Sequence, residues 1–276
     1  MAAATCEDGG AGAKGDCLVI LYSATTLRHV LTMAPSSPDA FDPLRRIAHA
    51  IPGAMQVGRW LRRNFDPEFR TVYRLQETQS DRLFQPRSET WEDRYPELFD
   101  ALAQRLLNIP EPRILSFGCS TGAEVRSLRR YLPHAHITGI DINPRSIAKA
   151  RRADPNPLSR YVVMDGIAPA ERYDAILAMA VFRHCELEAQ RPKSCASILP
   201  FARFAEAVAM LDRCLAPGGW LAIYHAHFRF SDTPVSVSYE VDGFRMHELH
   251  PSDLFYGKNN REIPGEIYDE IMFHKL

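Results

Sequence analysis

From residue 113 onward, short apolar runs alternate with stretches whose apolar residues recur at helical spacing. Short apolar runs are typical of buried strands, and apolar positions three or four residues apart are typical of one helix face. Because parallel strands need a long crossover, usually a helix, the alternation predicts an α/β fold with helices on both faces of a parallel sheet. The predicted strands are 113–117, 137–141, 160–164, 173–180 and 219–226, and the predicted helices are 122–132, 144–153, 186–198 and 201–215.

The C-terminal part has a different pattern, because polar and apolar residues alternate near 237–248 and 267–274. A period of two residues is typical of strands that expose one face to solvent. We therefore predict that the parallel strands are followed by an antiparallel C-terminal pair.

The region before the sheet is predicted to be mainly helical. Apolar residues recur at helical spacing between about 43 and 75, a polar loop follows over 76–90, and a further helix is predicted over 91–107. We expect a poorly ordered extension over 1–40, a helical cap over 41–108 and a cofactor-binding domain over 109–276. Met33 is a candidate start of the native protein, with the segment before it an upstream extension. That segment lacks the basic n-region of a signal peptide.

The first predicted strand leads into a turn bounded by Gly118 and Gly122, and the second ends at Asp141. A glycine turn at a strand end lets a ligand approach the backbone, because no Cβ stands in the way. A carboxylate at the end of the next strand can accept hydrogen bonds from both hydroxyls of a ribose. The combination predicts a site for a nucleoside-containing cofactor; the alternative is a tight turn without a ligand.

The spacing of the glycines narrows the class of cofactor. A dinucleotide-binding turn has three glycines in the pattern G-x-G-x-x-G, whereas Ser120 stands where a middle glycine is expected. A nucleotide-binding P-loop is excluded because its lysine is missing. An NAD-type Rossmann domain stays open as the less favoured alternative.

The segment 118–124, GCSTGAE, resembles motif I of the class I S-adenosylmethionine (SAM)-dependent methyltransferases. More narrowly, it resembles the GCSTGEE signature of the chemotaxis receptor methyltransferases, and Thr90 with Arg94 resembles the T-x-x-x-R pattern upstream of it. The resemblance implies a Rossmann-like class I methyltransferase sheet, SAM as the cofactor and methyl transfer as the activity. Ala123 replaces an acid of that signature, and 181–184 replaces an Arg-Asn-Val run, so receptor methylation is not carried over.

The resemblance also assigns residues to the methionine end of the cofactor. Glu124 would pair with its ammonium, and Thr90 and Arg94 would approach its carboxylate or the acceptor. The turn would bring backbone close to it through Gly118, Cys119, Ser120 and Gly122. Two simpler interpretations stay open: Glu124 stabilises the N-terminus of its helix, and Thr90 caps the helix predicted over 91–107.

The other end of the cofactor and the acceptor have candidates too. By resemblance, Asp141 binds the ribose and Ile142 packs under the adenine. Asp165, just past the third strand, is positioned to accept from the adenine amine, and Gly166 allows a close approach. Asp-Gly after a strand is also a common turn. The segment after the fourth strand lines the methyl-transfer site in this family; here it begins at Met179 and includes His184. His184 is the candidate general base, with a structural hydrogen bond as the alternative.

Composition sets limits on location and partners. Hydrophobic residues make up 46% and charged residues 24% of the 276 residues, and the net charge of −1 creates no field that favours nucleic acid or an acidic membrane. No run approaches the roughly 20 apolar residues of a membrane span. The six cysteines form no C-x-x-C pair, which argues against a zinc site and a disulfide framework. We expect a cytoplasmic monomer or homodimer with no metal.

Three functions remain open. The first is a methyltransferase acting on O, N or C of an unidentified, small-molecule acceptor. The second is a protein or RNA methyltransferase, which local arginines would favour, although a solvated helix face explains them more simply. These are Arg59, Arg62, Arg63, Arg70 and Arg74. The third is a SAM-binding regulatory protein without turnover.

Overall fold

The computed structural model describes residues 60, 62–87, 90–164, 171–246 and 254–276, which belong to one compact unit. The predicted extension and the first part of the predicted helical cap lie outside the described residues. The helices are α1 (Pro67–Thr78), α2 (Pro96–Arg105), α3 (Ala123–Tyr131), α4 (Pro144–Ala153), α5 (Cys185–Gln190) and α6 (Phe201–Cys214). The strands are β1 (Arg113–Phe117), β2 (His136–Asp141), β3 (Ser159–Val163), β4 (Tyr173–Met179), β5 (Leu215–Tyr224), β6 (Tyr239–Val241) and β7 (Met272–Lys275).

The strands form one sheet in the order β3-β2-β1-β4-β5-β7-β6. The first five are parallel, whereas β7 runs antiparallel to both β5 and β6. This topology confirms the predicted α/β fold, a mostly parallel Rossmann-like sheet with an antiparallel C-terminal pair. The strand order reverses between β1 and β4, and ligands of open α/β sheets bind at such a switch point.

The sheet separates two apolar layers. Along β4, Ile176 and Ala178 are buried in one layer, and Ala175 and Leu177 in the other. Successive side chains of a strand point to opposite faces, so a strand buried on both sides is apolar throughout. This burial explains why the central strands form continuous apolar runs in the sequence.

The helix predicted over 91–107 begins at Pro96 instead. Asp93 has a positive φ of 54°, and Tyr95 is the N-cap residue with a non-helical φ of −135° and ψ of 56°. A proline disfavours the helical conformation of the residue before it, which explains the late start. The interpretation of Thr90 as the N-cap is therefore wrong.

Other boundaries also differ from the predictions. The predicted helix 186–198 is only α5, because Arg191 adopts a left-handed conformation (φ 43°) that ends it. β5 begins at Leu215, where a bulge around Gly218 (φ 72°) separates its pairing with Tyr173 from the regular pairing that starts at Trp220. β6 and β7 are shorter than predicted, and 247–253 lies outside the described residues.

Candidate functional site

The glycine turn after β1 is fixed by backbone hydrogen bonds to β2. The N–H groups of Gly118 and Cys119 both donate to the Ile140 carbonyl, at 2.9 Å each. Gly118 has a φ of 77°, and a Cβ there would lie 2.5 Å from Cγ2 of Val181. Only glycine fits this position, because both the backbone conformation and the neighbouring side chain exclude a Cβ.

Gly122 closes the turn and starts α3. It has a φ of 80°, and a Cβ would lie 2.9 Å from the Tyr161 ring. Gly122 is not among the described residues that line the cleft, so the structure gives it the task of shaping the turn. The predicted direct approach of Gly122 to the cofactor stays a prediction.

The Asp141 carboxylate lies at the end of β2 and is held by two backbone donors. Ser120 N–H donates to one oxygen at 2.9 Å, and Asn143 N–H donates to the other at 2.7 Å. Burial raises the pKa of Asp141, while these hydrogen bonds favour the charged form. A carboxylate oxygen has two lone pairs, so each oxygen retains one for a ribose hydroxyl.

Glu124, in the first turn of α3, is half-buried beside β1. The Ser116 hydroxyl donates to its carboxylate at 2.6 Å. Burial raises the pKa of Glu124 to about 7, opposed by this hydrogen bond and the positive charge of Arg94. A ligand ammonium would shift Glu124 towards its charged form, because an opposite charge nearby lowers a carboxyl pKa. The side chain is thus suited to an amino group, beyond any effect on the helix terminus.

A cleft of about 1070 Å³, including space open to solvent, lies at the carboxyl ends of β1, β2 and β4. Nine of the predicted cofactor-binding residues line it: Thr90, Arg94, Gly118, Cys119, Ser120, Glu124, Asp141, Ile142 and Met179. Residues predicted from separate parts of the chain are therefore brought to one cavity. Asp165 and Gly166 lie outside the described residues.

His184 has a different position from the one expected of a general base. It is the N-cap residue of α5, and its Nδ1 accepts the Glu186 N–H at 3.2 Å. It is not among the described residues that line the cleft, and burial lowers its pKa. The structure therefore favours the structural hydrogen bond over the catalytic role.

Apart from Thr90 and Arg94, which the resemblance assigned, the sequence did not reveal the cleft wall formed by residues 82–87 and 90–95. Within it, Trp91 and Tyr95 line the cleft, and the Arg94 guanidinium carbon lies 4.3 Å and 5.2 Å from their ring centroids. The Tyr95 hydroxyl is buried without a hydrogen-bond partner, and burial raises the pKa of Tyr95. Phe84 also lines the cleft. Pro96 was a sequence signal for a helix that starts directly after Tyr95. No neighbouring residue indicates that Phe84 lines the cleft.

Cys119 lies in the turn but is not arranged as a nucleophile. Its side chain is 3% exposed, and burial raises the pKa of the thiol well above its ordinary value. Across the described residues, no group of three or more His, Cys, Asp or Glu side chains could hold a metal ion. None of the helices in that part of the chain is long and apolar enough to cross a membrane.

The described site has what an adenosine-containing amino acid requires: a close backbone approach, a carboxylate for the ribose and a carboxyl for an ammonium. Residues 115–223 match the family model described as Methyltransferase domain, in agreement with the resemblance of motif I. The matched range contains the turn, Glu124 and Asp141, but not the wall over 82–87 and 90–95.

Individual relatives match over parts of their length. The chain is 38% identical over 129 residues to the biotin biosynthesis bifunctional protein BioCD of Bordetella avium (45% of this chain, 24% of that protein). It is 32% identical over 124 residues to the trans-aconitate 2-methyltransferase of Methylobacterium nodulans (45% and 42%). These matches span less than half of either relative. The plantazolicin methyltransferase BpumL, solved with SAH, superposes with a TM-score of 0.36 at 19% identity (61% and 58%), too low to support a functional conclusion.

Proposed function

We propose that the chain is a SAM-dependent methyltransferase that acts on a small-molecule acceptor. The observation that carries the proposal is Asp141, fixed by Ser120 and Asn143 at the switch point of the sheet with a lone pair left on each oxygen. A ribose diol fits that carboxylate, and the match to a methyltransferase domain supports SAM over a dinucleotide.

The chain's own residues have defined tasks in this proposal. Asp141 binds the ribose, Glu124 pairs with the ammonium of the methionine end, and Arg94 with Thr90 receives its carboxylate. The methyl group of SAM is already activated by its sulfonium when the cofactor is bound. Alignment with an acceptor can supply a large part of the rate, on the order of 7–11 kcal/mol in favourable cases. A catalytic triad is therefore not required.

The type of cofactor turn, the location and the oligomeric state are proposals as well. We propose that the cofactor turn is of the chemotaxis receptor methyltransferase type, because Glu124 in GCSTGAE faces the cleft as an acid of α3. The acceptor differs, since the sequence after β4 departs from that family. The four cysteines of the described residues (Cys119, Cys185, Cys195 and Cys214) form no disulfide, which supports a reducing cytoplasmic location. We retain a monomer or homodimer that binds neither nucleic acid nor membrane.

Turnover is tested with SAM carrying a labelled methyl group. We would incubate the protein with this SAM and single small acceptors, beginning with trans-aconitate, which the Methylobacterium relative's name specifies. Labelled product together with stoichiometric S-adenosylhomocysteine (SAH) is the expected result. Tight SAH binding with no transfer to any acceptor would contradict catalysis and favour a regulatory SAM-binding protein.

A further inference from the structure

The part of the cleft wall that precedes β1 is apolar and partly aromatic. Its apolar members are Val72, Leu75, Leu83, Phe84, Trp91 and Tyr95. Most of these side chains are buried or half-buried, whereas Trp91 is 55% exposed. Among the exposed large hydrophobic side chains of the described residues, Trp91 alone lines the cleft. An indole that stays exposed inside a cavity indicates a ligand that covers it.

The segment that carries Trp91 is fixed to α3. The Asp93 N–H donates to the Ser127 hydroxyl at 2.9 Å. The Arg126 guanidinium donates to the Glu92 carboxylate at 2.8 Å. These contacts hold the backbone next to the indole in place before any ligand binds. A side chain presented in this way loses little conformational entropy on binding, which favours affinity.

One face of the indole is already covered. The Arg94 guanidinium carbon lies 4.3 Å from the centroid of the Trp91 ring, which is the separation of a cation stacked over a ring face. The exposed surface of Trp91 therefore includes the opposite face. Aromatic rings pair favourably by offset stacking, so a second planar ring is well suited to cover such a face.

The position of Trp91 favours the acceptor over the adenine of the cofactor. Glu92 and Asp93, the next two residues, contact α3, whose first turn contains Glu124. Glu124 is the proposed partner of the methionine ammonium, whereas Asp141, the proposed partner of the ribose, lies at the end of β2. Trp91 is therefore on the methionine side of the cleft, where an acceptor can approach the sulfonium.

We propose that the methyl acceptor contains a planar aromatic ring and that this ring stacks on the exposed face of Trp91. This inference rests on the proposed methyltransferase function and adds the chemical class of its acceptor. Val72, Leu83 and Phe84 of the same wall offer the ring further apolar contact. Stacking would orient the acceptor, so that its nucleophilic atom is directed towards the methyl group of SAM.

The test compares the binding of aromatic probes and their saturated counterparts to the SAH complex. Naphthol and decahydronaphthol form one pair, and phenol and cyclohexanol form a second; binding is followed by ligand-observed NMR. The proteins are wild type, Trp91→Leu, Trp91→Phe and the matched control Trp60→Leu. Trp60 is similarly exposed, at 59%, but does not line the cleft. Thermal unfolding of every variant verifies folding.

We expect at least one aromatic probe to bind about fivefold or more tightly than its saturated counterpart. Trp91→Leu should abolish that preference, Trp91→Phe should retain part of it, and Trp60→Leu should retain all of it. No aromatic preference in either pair, or an unchanged preference in Trp91→Leu, would overturn the inference while leaving the proposed function intact.

Titration with the cofactor products separates the remaining outcomes. SAH and methylthioadenosine should bind Trp91→Leu with similar affinity to wild type. If both ligands lose affinity by the same factor, the indole stacks on the adenine and the inference is wrong. Failure of the wild-type protein to bind SAH would instead overturn the proposed function.

Fluorine NMR provides an independent readout that locates the bound ring. The chain has three tryptophans, Trp60, Trp91 and Trp220, so labelling with fluorotryptophan gives one resonance for each. The Trp91 resonance is assigned by its absence from Trp91→Phe. We expect naphthol, added to the SAH complex, to shift this resonance far more than the other two. An unshifted Trp91 resonance at saturating naphthol would contradict stacking.

Discussion

Replacing Asp141 with asparagine should weaken cofactor binding strongly while leaving the fold in place. The carboxylate accepts the Ser120 and Asn143 N–H groups at 2.9 and 2.7 Å, one on each oxygen, and offers a further lone pair on each to the ribose. Asparagine retains one acceptor oxygen, but its amide group turns a donor towards one of these N–H groups and one ribose hydroxyl. The charge is lost as well.

The expected size follows from hydrogen bonds to charged groups, which contribute about 1.5–3 kcal/mol each. Weakening two such bonds to the ribose gives a loss of about 2–4 kcal/mol, or about 30- to 1000-fold in SAH affinity. Isothermal titration calorimetry measures this loss directly. Methylthioadenosine retains the ribose but not the amino acid, so its affinity should fall by a similar factor.

Asp174→Asn is the matched control. Asp174, at the start of β4 and outside the cleft, also accepts a backbone N–H, from Arg113 at 2.8 Å. This variant should bind SAH like wild type, with a similar modest effect on thermal stability. If Asp141→Asn binds SAH within twofold of wild type, the assignment of Asp141 to the ribose is refuted.

The remaining predictions concern other parts of the cleft. Glu124→Gln should weaken SAH binding about tenfold or more but leave the affinity for methylthioadenosine unchanged, because only SAH has the ammonium. Titration calorimetry measures both affinities, and equal losses for the two ligands would contradict the pairing. With a pKa of about 7 in the free protein, Glu124 must be deprotonated to pair, so SAH affinity should fall as pH drops below about 7 in wild type. In Glu124→Gln that slope should vanish, and a persistent slope would assign it to another group. Gly118→Ala should lower the free energy of unfolding by about 1–3 kcal/mol in urea, since Gly118 has a positive φ and Val181 occupies the space of a Cβ. Gly243→Ala is the control and should not lower it, because the space around Gly243 is open. Tyr95→Phe removes a buried, unpaired hydroxyl and should leave the unfolding free energy unchanged or raise it; a loss of more than about 1 kcal/mol would reveal a missed partner.

The sheet and the ribose carboxylate were predictable because their signals are local. The apolar runs of β1 to β5, the Gly118–Gly122 turn and Asp141 each follow from a few consecutive residues and their spacing. Parallel strands place their carboxyl ends at one edge, so the position of these residues followed from the topology.

Apart from Thr90 and Arg94, which the resemblance assigned, the wall of the cleft was not predictable, because it depends on contacts between distant residues. The hydrogen bond from Ser116 to Glu124 and the placement of Arg203 behind Phe84 appear only when helices and loops pack on the sheet. For His184 the sequence left two interpretations open, a general base and a structural hydrogen bond, and the structure shows the hydrogen bond that caps α5.

The central claim is that this cleft binds SAM, and one titration tests it most directly. Purified protein would be titrated by calorimetry with SAM and SAH, and with NADH as the competing cofactor class. We expect micromolar binding of SAM and SAH and no binding of NADH. Binding of NADH in preference to SAM, or of neither SAM nor SAH, would contradict it.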